Sequence, residues 1–110
     1  MPRLPTAIVD SHHHLWDLQH IRYPWLADEY DAASFILGEY RPLCQDFLPK
    51  DFRASWGGMP VVGSVHIEAE CERRQALAET RWVHEQAAQS GLPHAVVAWA
   101  DLLAPDAEEH

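Results

Sequence analysis

Three apolar runs punctuate the chain, and each ends in polar, chemically capable side chains. The first, Ala7-Ile8-Val9, leads into Asp10, Ser11 and the consecutive histidines His12, His13 and His14. The second, Pro60-Val61-Val62-Gly63-Ser64-Val65-His66-Ile67-Glu68-Ala69-Glu70, collects its polar groups at its C-terminal end. The third, His94-Ala95-Val96-Val97-Ala98-Trp99-Ala100-Asp101-Leu102-Leu103, carries an acid near its end. Near-continuous apolar runs rich in β-branched residues read as strands covered on both faces, as in a parallel sheet. Between the second and third, residues 72–90 change to a helical period, with Leu77, Trp82 and Val83 on one side. Arg73, Arg74, Glu85 and Gln89 are then free for solvent, with Glu79 read as part of the same mixed, solvated face. Gly91 and Pro93 supply the stop. Residues 18–58 have little sustained period but many aromatics, which predicts a long folded loop rather than a linker. A short helix is expected to start at Leu48-Pro49, where proline suits the first turn.

The predicted order is strand, long loop with short helix, strand, helix, strand, the mark of an α/β fold with a parallel sheet. Residues 1–110 read as one domain. A proline and three acids at residues 104–110 have the composition of a helix first turn, so a further helix is expected there, with the chain as the N-terminal part of something longer. Strict alternation puts Ile8, Asp10, His12 and His14 on one face of the first strand, and Val9, Ser11, His13 and Leu15 on the other. In the second strand Ser64, His66 and Glu68 share a face.

With 47% hydrophobic and 23% charged residues the composition is globular, and the net charge of −9 narrows the choice of partner. Nucleic-acid backbones and anionic membranes need a basic surface, so neither is expected, and a small molecule is. Cys44 and Cys71 have neither C-x-x-C spacing nor the density of a disulfide scaffold, which points to free thiols in a reducing compartment. Residues 1–6 lack an apolar leader run, and no apolar stretch approaches the ~20 residues of a membrane span. A cytoplasmic location is the expectation.

The chemistry concentrates in the histidine stretch. Two imidazoles one pleat apart on one strand face can grip a single divalent ion, while His13, of opposite parity, is expected to pack against a neighbouring helix or loop. His66, near a strand end, has two readings: a substrate contact or acid/base group, since imidazole titrates near neutrality, and a satisfied core histidine. Glu68 and Glu70 have Arg73 and Arg81 as nearby ion-pair partners, and Asp101 is placed to cap the next turn. Trp16, Tyr23 and Trp25 are candidates for a pocket wall, with packing as the competing role.

Asp10-Ser11-His12-His13-His14-Leu15-Trp16-Asp17 resembles the first-strand motif of the amidohydrolase superfamily, Asp-x-His-x-His at the C-terminal end of strand one. Val65-His66-Ile67-Glu68-Ala69-Glu70, Glu79-Thr80-Arg81-Trp82-Val83 and Gly91-Leu92-Pro93-His94-Ala95-Val96-Val97-Ala98 are similar to an amidohydrolase-related TIM-barrel branch that contains sugar-acid and dicarboxylate lactonases. Tyr23-Pro24-Trp25-Leu26 fits that branch as well. The resemblance implies the N-terminal part of a (β/α)8 TIM barrel, about three parallel strands with intervening helices, and an incomplete one, since a full barrel takes roughly 250 residues. It implies His12 and His14 as two metal ligands; with a divalent ion, zinc or manganese, at that pair, Asp10 or Glu68 is the expected partner that holds a ligand imidazole in one tautomer, and His66 is the candidate catalytic group of the second strand. The remaining ligands and the acid/base aspartate would come from later strands. Some lactonases of the branch use the histidines on substrate without a tightly held metal. The implied activity is hydrolysis of a lactone or related small carboxylate ester, with this chain catalytically incomplete alone. A competing reading is a stand-alone metal-binding module that covers its open strand edges as a homo-oligomer.

Overall fold

The computed structural model describes residues 5–109. Three parallel strands form one sheet in the order β1-β2-β3, with β1 Ile8–His13, β2 Val61–Ile67 and β3 Ala95–Val97. Parallel neighbours cannot be joined by a tight turn, so each pair needs a crossover. A long loop with α1 (Pro49–Ser55) makes the first crossover, and α2 (Ala76–Ser90) makes the second. Residues 1–4 and His110 lie outside the described residues; in place of the helix expected at 104–110 there is a single 3-10 turn, Ala107–Glu109.

Local chemistry accounts for the helix ends. Pro49 takes the first position of α1, and the Asp51 carboxylate accepts the Leu48 N–H at 2.9 Å, satisfying a donor that the helix leaves over. At the far end of α2, Gly91 adopts φ +82° and returns its N–H to the Ala87 carbonyl at 2.9 Å, in a left-handed conformation that glycine adopts without steric penalty. The buried stripe of α2 is Ala76, Glu79 and Val83, whereas Leu77 is 42% exposed. The apolar side read from the sequence is therefore rotated, because a carboxylate occupies the middle of the true stripe.

The third strand is shorter than its apolar run. Only Ala95, Val96 and Val97 pair, with Val65, His66 and Ile67 of β2. β2 itself ends at Ile67, opposite Val97, so beyond Val97 it offers no further ladder. Asp101 caps the turn that follows, its Oδ1 accepting the Leu103 N–H at 3.0 Å.

Two irregularities break the β1–β2 register. Ile8 aligns with Val61 but Val9 with Gly63, and Asp10 aligns with Ser64 but His13 with His66. The second shift places one extra residue on β1 within Ser11-His12, a bulge that moves every later side chain by one in parity. The unbroken alternation expected from Ile8 to His14 is thereby corrected: His13, rather than His12, aligns with His66.

The long loop folds on a core of its own. Trp16 and Phe47 exchange backbone hydrogen bonds of 3.0 and 2.9 Å, closing the loop at its base. Inside lie Trp16, Ile21, Tyr23, Leu26 and Tyr40, packed on Ala69 and Cys71. A second cluster of Leu15, Phe52 and Leu92 joins the end of β1 to α1 and to the approach to β3. Cys44 and Cys71 are both free thiols, the latter pushed up to about 12 by burial. No helix among the described residues is long and apolar enough to cross a membrane.

Candidate active site

The bulge shapes the end of β1. Asp10 Oδ1 accepts the His12 N–H at 3.0 Å, turning the backbone so that His12 projects to solvent. His14 leaves the strand, and its Nδ1 sits 2.8 Å from the Ile67 carbonyl oxygen. A carbonyl only accepts, so Nδ1 carries the proton and Nε2 presents a lone pair. Ile67, rather than Asp10 or Glu68, thus sets the His14 tautomer. The His12 and His14 rings stand 5.1 Å apart at 86°. Two imidazoles on one tetrahedral ion, with bonds of about 2.0–2.1 Å, have ring centres roughly 5 Å apart, a spacing that this pair matches. Among the described residues, no group of three or more His, Cys, Asp or Glu is arranged to hold a metal.

The other two histidines lie against the core. His13 stacks on Phe52 of α1, with ring centres 3.9 Å apart, and its Nε2 is 2.9 Å from Ser64 Oγ. Burial lowers its pKa, more than the nearby Asp10 carboxylate raises it. His66 is 1% exposed and donates from Nε2 to the Leu15 carbonyl at 3.2 Å; its Nδ1 is buried without a partner. Desolvation pushes its pKa down to about 4, so the ring is neutral near pH 7. Its ring centre is 6.5 Å from that of His14, and its hydrogen bond holds the peptide that joins Leu15 to Trp16.

Beyond the β2 terminus the chain makes a tight acidic turn. Glu68 Oε2 accepts the Glu70 N–H at 2.8 Å and faces Arg73 at 3.5 Å. Glu70 has φ +56°, an uncommon conformation for a side-chain-bearing residue. The Arg73 guanidinium also lies over the Trp99 ring at 4.5 Å.

A cleft of about 410 Å³ opens between this turn and the loop, lined by His14, Trp16, Trp25, Phe35, Glu68 and Glu70 among others. Trp16 meets Trp25 edge-on at 5.7 Å, and Trp25 lies against Phe35 at 6.0 Å. Both indole N–H groups bond to main chain, Trp16 to the Gln45 carbonyl at 2.7 Å and Trp25 to the Ala69 carbonyl at 2.8 Å. A larger open cavity of about 520 Å³ lies along Leu18 and Asp46 to Asp51, and no histidine lines it.

Tyr23 does not line the cleft. It is 1% exposed, and its hydroxyl donates to Glu79 Oε2 at 2.6 Å. Glu79 is itself 2% exposed and accepts the Ala69 N–H at 3.3 Å, which overturns its reading as part of a solvated face. Burial raises its pKa, while the Tyr23 hydroxyl pulls it back. Ala69 is therefore clamped on both sides, by Trp25 at its carbonyl and Glu79 at its N–H, which fixes the cleft floor. Phe35 joins the site without having been singled out in the sequence, and Glu70, read there only as an ion-pair acid, lines the cleft. The stripe Ala76, Glu79, Val83 would have revealed Glu79 had an acid been allowed on a buried face.

No family model and no solved structure matches the chain. Among curated proteins it is 36% identical over 100 residues to the uncharacterized protein y4mH of Sinorhizobium fredii, covering 91% of this chain and 33% of that protein. It is 29% identical over 101 residues to an L-fucono-1,5-lactonase of Burkholderia multivorans, covering 92% of this chain and 29% of that enzyme. The chain thus spans about a third of the length of these curated relatives.

Proposed function

We propose that this chain contributes the first-strand histidines of a hydrolase acting on a lactone or related small ester, and that its three strands are the front of a (β/α)8 barrel. The observation that carries the proposal is the His14 imidazole, held by the Ile67 carbonyl with its ring centre 5.1 Å from that of His12, at the end of a parallel strand and the edge of an aromatic cleft. Ligand sites of α/β sheets favour the C-terminal ends of their strands. The similarity to an L-fucono-1,5-lactonase supports the reaction class. His12 and His14 would hold a divalent ion, zinc or manganese, which when bound supplies Lewis acidity toward an ester carbonyl. Two imidazoles leave further positions of a tetrahedral set to other donors. Trp16 and Trp25 would orient the substrate ring and exclude water from one side. His66, neutral and buried, acts as a positioning residue through the Leu15 carbonyl.

The test is lactone hydrolysis by the protein carrying this chain, with and without added zinc or manganese, alongside calorimetric zinc titration. Hydrolysis is expected, and the H12A/H14A double variant is expected to lose both activity and specific metal binding. Undiminished tight zinc binding by that variant would overturn the ligand assignment, and failure to hydrolyse any lactone under either condition would overturn the hydrolase reading.

A further inference from the structure

The end of β2 holds the two halves of the site by different means. As far as Ile67 the chain is strand: the Ile67 carbonyl takes the His14 Nδ1–H, and Glu68 then closes the sheet by donating its N–H to the Val97 carbonyl at 2.9 Å. Past that bond the ladder ends, and Ala69 turns to side chains. Its carbonyl accepts the Trp25 indole N–H at 2.8 Å, and its N–H meets Glu79 Oε2 at 3.3 Å. The same Glu79 oxygen accepts the Tyr23 hydroxyl at 2.6 Å, so one buried atom joins the end of β2, the first turn of α2 and the loop two residues before Trp25. Arg22 ties the loop to the same connection, its carbonyl accepting the Glu72 N–H at 2.8 Å and its N–H donating to Gln75 Oε1 at 2.7 Å. A carboxylate is costly to bury, and an apolar side chain at that point of the α2 stripe would cost less. What an apolar side chain lacks is an acceptor for Ala69.

We infer that Glu79 is a positioning residue for substrate: through Ala69 it fixes the Trp25 indole, and with it one wall of the cleft, while the sheet holds the His12–His14 pair independently of it. The inference rests on the proposed hydrolase reading and extends it to a buried residue that no substrate touches. Trp25 is gripped at its main chain as well, where the Tyr40 hydroxyl donates to its carbonyl at 2.7 Å, so the indole has one remaining freedom, its own side-chain rotation, and Ala69 removes that. A wall fixed before binding lowers the cost of ordering it around a ligand. Its loss therefore weakens substrate binding and leaves the bond-breaking groups where they are, which raises KM and spares kcat.

Three variants of the protein carrying this chain test it. E79M removes the acceptor at similar volume, whereas E79Q keeps a carbonyl oxygen that can take both hydrogen bonds. Y23F/E79M replaces both buried partners by apolar groups of similar shape, an exchange close to neutral in stability, and so decides the matter if E79M does not fold. In both methionine variants the KM for a lactone is expected to rise about tenfold with kcat within about twofold of the unaltered protein, and E79Q is expected to match the unaltered protein. Zinc affinity, by calorimetry, is expected to be the same in all of them. Hydrogen exchange followed by NMR reads the wall without turnover: the Trp25 indole N–H is expected to exchange about tenfold faster in the methionine variants and at its original rate in E79Q. An unchanged KM or an unchanged indole exchange in Y23F/E79M would overturn the inference. So would E79Q behaving like the methionine variants, a fall in zinc affinity along with the rise in KM, or an equal rise in KM in G91A, which strains only the opposite end of α2. If the protein hydrolyses no lactone, the hydrolase reading falls, while faster indole exchange in the methionine variants and not in E79Q would still uphold Glu79 as the residue that positions Trp25.

Discussion

Replacing Tyr23 with Phe removes one oxygen from a place that water does not reach, and the structure sets the size of the effect. The Tyr23 hydroxyl lies 2.6 Å from Glu79 Oε2, within the range of charge-assisted O–H···O bonds, and both residues are almost fully buried. With Glu79 ionised, losing this donor leaves the carboxylate one longer contact, the Ala69 N–H at 3.3 Å. A hydrogen bond to a charged group contributes about 1.5–3 kcal/mol and a neutral one about 0.5–1.5 kcal/mol. Tyr23→Phe is therefore expected to cost about 2–3 kcal/mol where the carboxyl is ionised and about 1 kcal/mol where it is protonated, so more near pH 7 than near pH 4, which lies below the raised Glu79 pKa. The sign follows from the Tyr23 bond, which lowers the Glu79 pKa against the burial that raises it: the bond favours the ionised carboxyl, so its contribution grows as pH rises through the Glu79 titration, even though burying Glu79 is by itself destabilising over that range. Removing Tyr23 moves that value higher still. Urea unfolding of a domain this size, with a slope of about 1–2 kcal/mol per molar, should show a midpoint lower by about 1–3 M near pH 7 and by roughly half that or less near pH 4. On an E79Q background the Tyr23 substitution should cost about 1 kcal/mol at both pH values. Equal midpoint shifts at the two pH values, or an equal cost on the native and E79Q backgrounds, would refute a charge-assisted clamp.

Two further outcomes follow from backbone and burial. His66 has a folded pKa of about 4 against an ordinary 6.5, so the unfolded chain takes up a proton between these values that the folded chain refuses. Stability from this group is complete above about pH 6.5 and falls by about 2–3 kcal/mol as pH drops toward 4, a loss that H66Q should lack; matching pH profiles for the two proteins would contradict its buried neutral state. Gly91→Ala places a Cβ 3.7 Å from Arg53 Nη2, an ordinary contact, so its cost is that of the left-handed backbone alone, about 1 kcal/mol. Thermal unfolding should shift down by about 4–8 °C, and an unchanged Tm would show that the backbone relaxes out of that conformation.

Everything that depends on local repetition was legible in the chain itself. Apolar runs marked three strands, a 3.6-residue period marked α2, and Pro49 and Gly91 marked helix ends, because each signal acts within a few residues. The histidine stretch stood out for the same reason. The site needed contacts that no neighbour in sequence supplies. The Ile67 carbonyl that sets the His14 tautomer is 53 residues away in the chain, and the Tyr23 hydroxyl that makes a buried Glu79 tolerable is 56 residues away. Alternation located the His-x-His pair but assigned its parity as if β1 were regular, whereas the register with β2 inserts a bulge at Ser11-His12. Likewise the apolar run at 94–103 predicted a long strand, and the partner it finds in β2 extends only to Ile67. Periodicity records which side chains prefer to be buried; which donor meets which acceptor is decided only when the sheet and the loop close on one another, since a hydrogen bond has a range of about 3 Å and no memory of sequence distance.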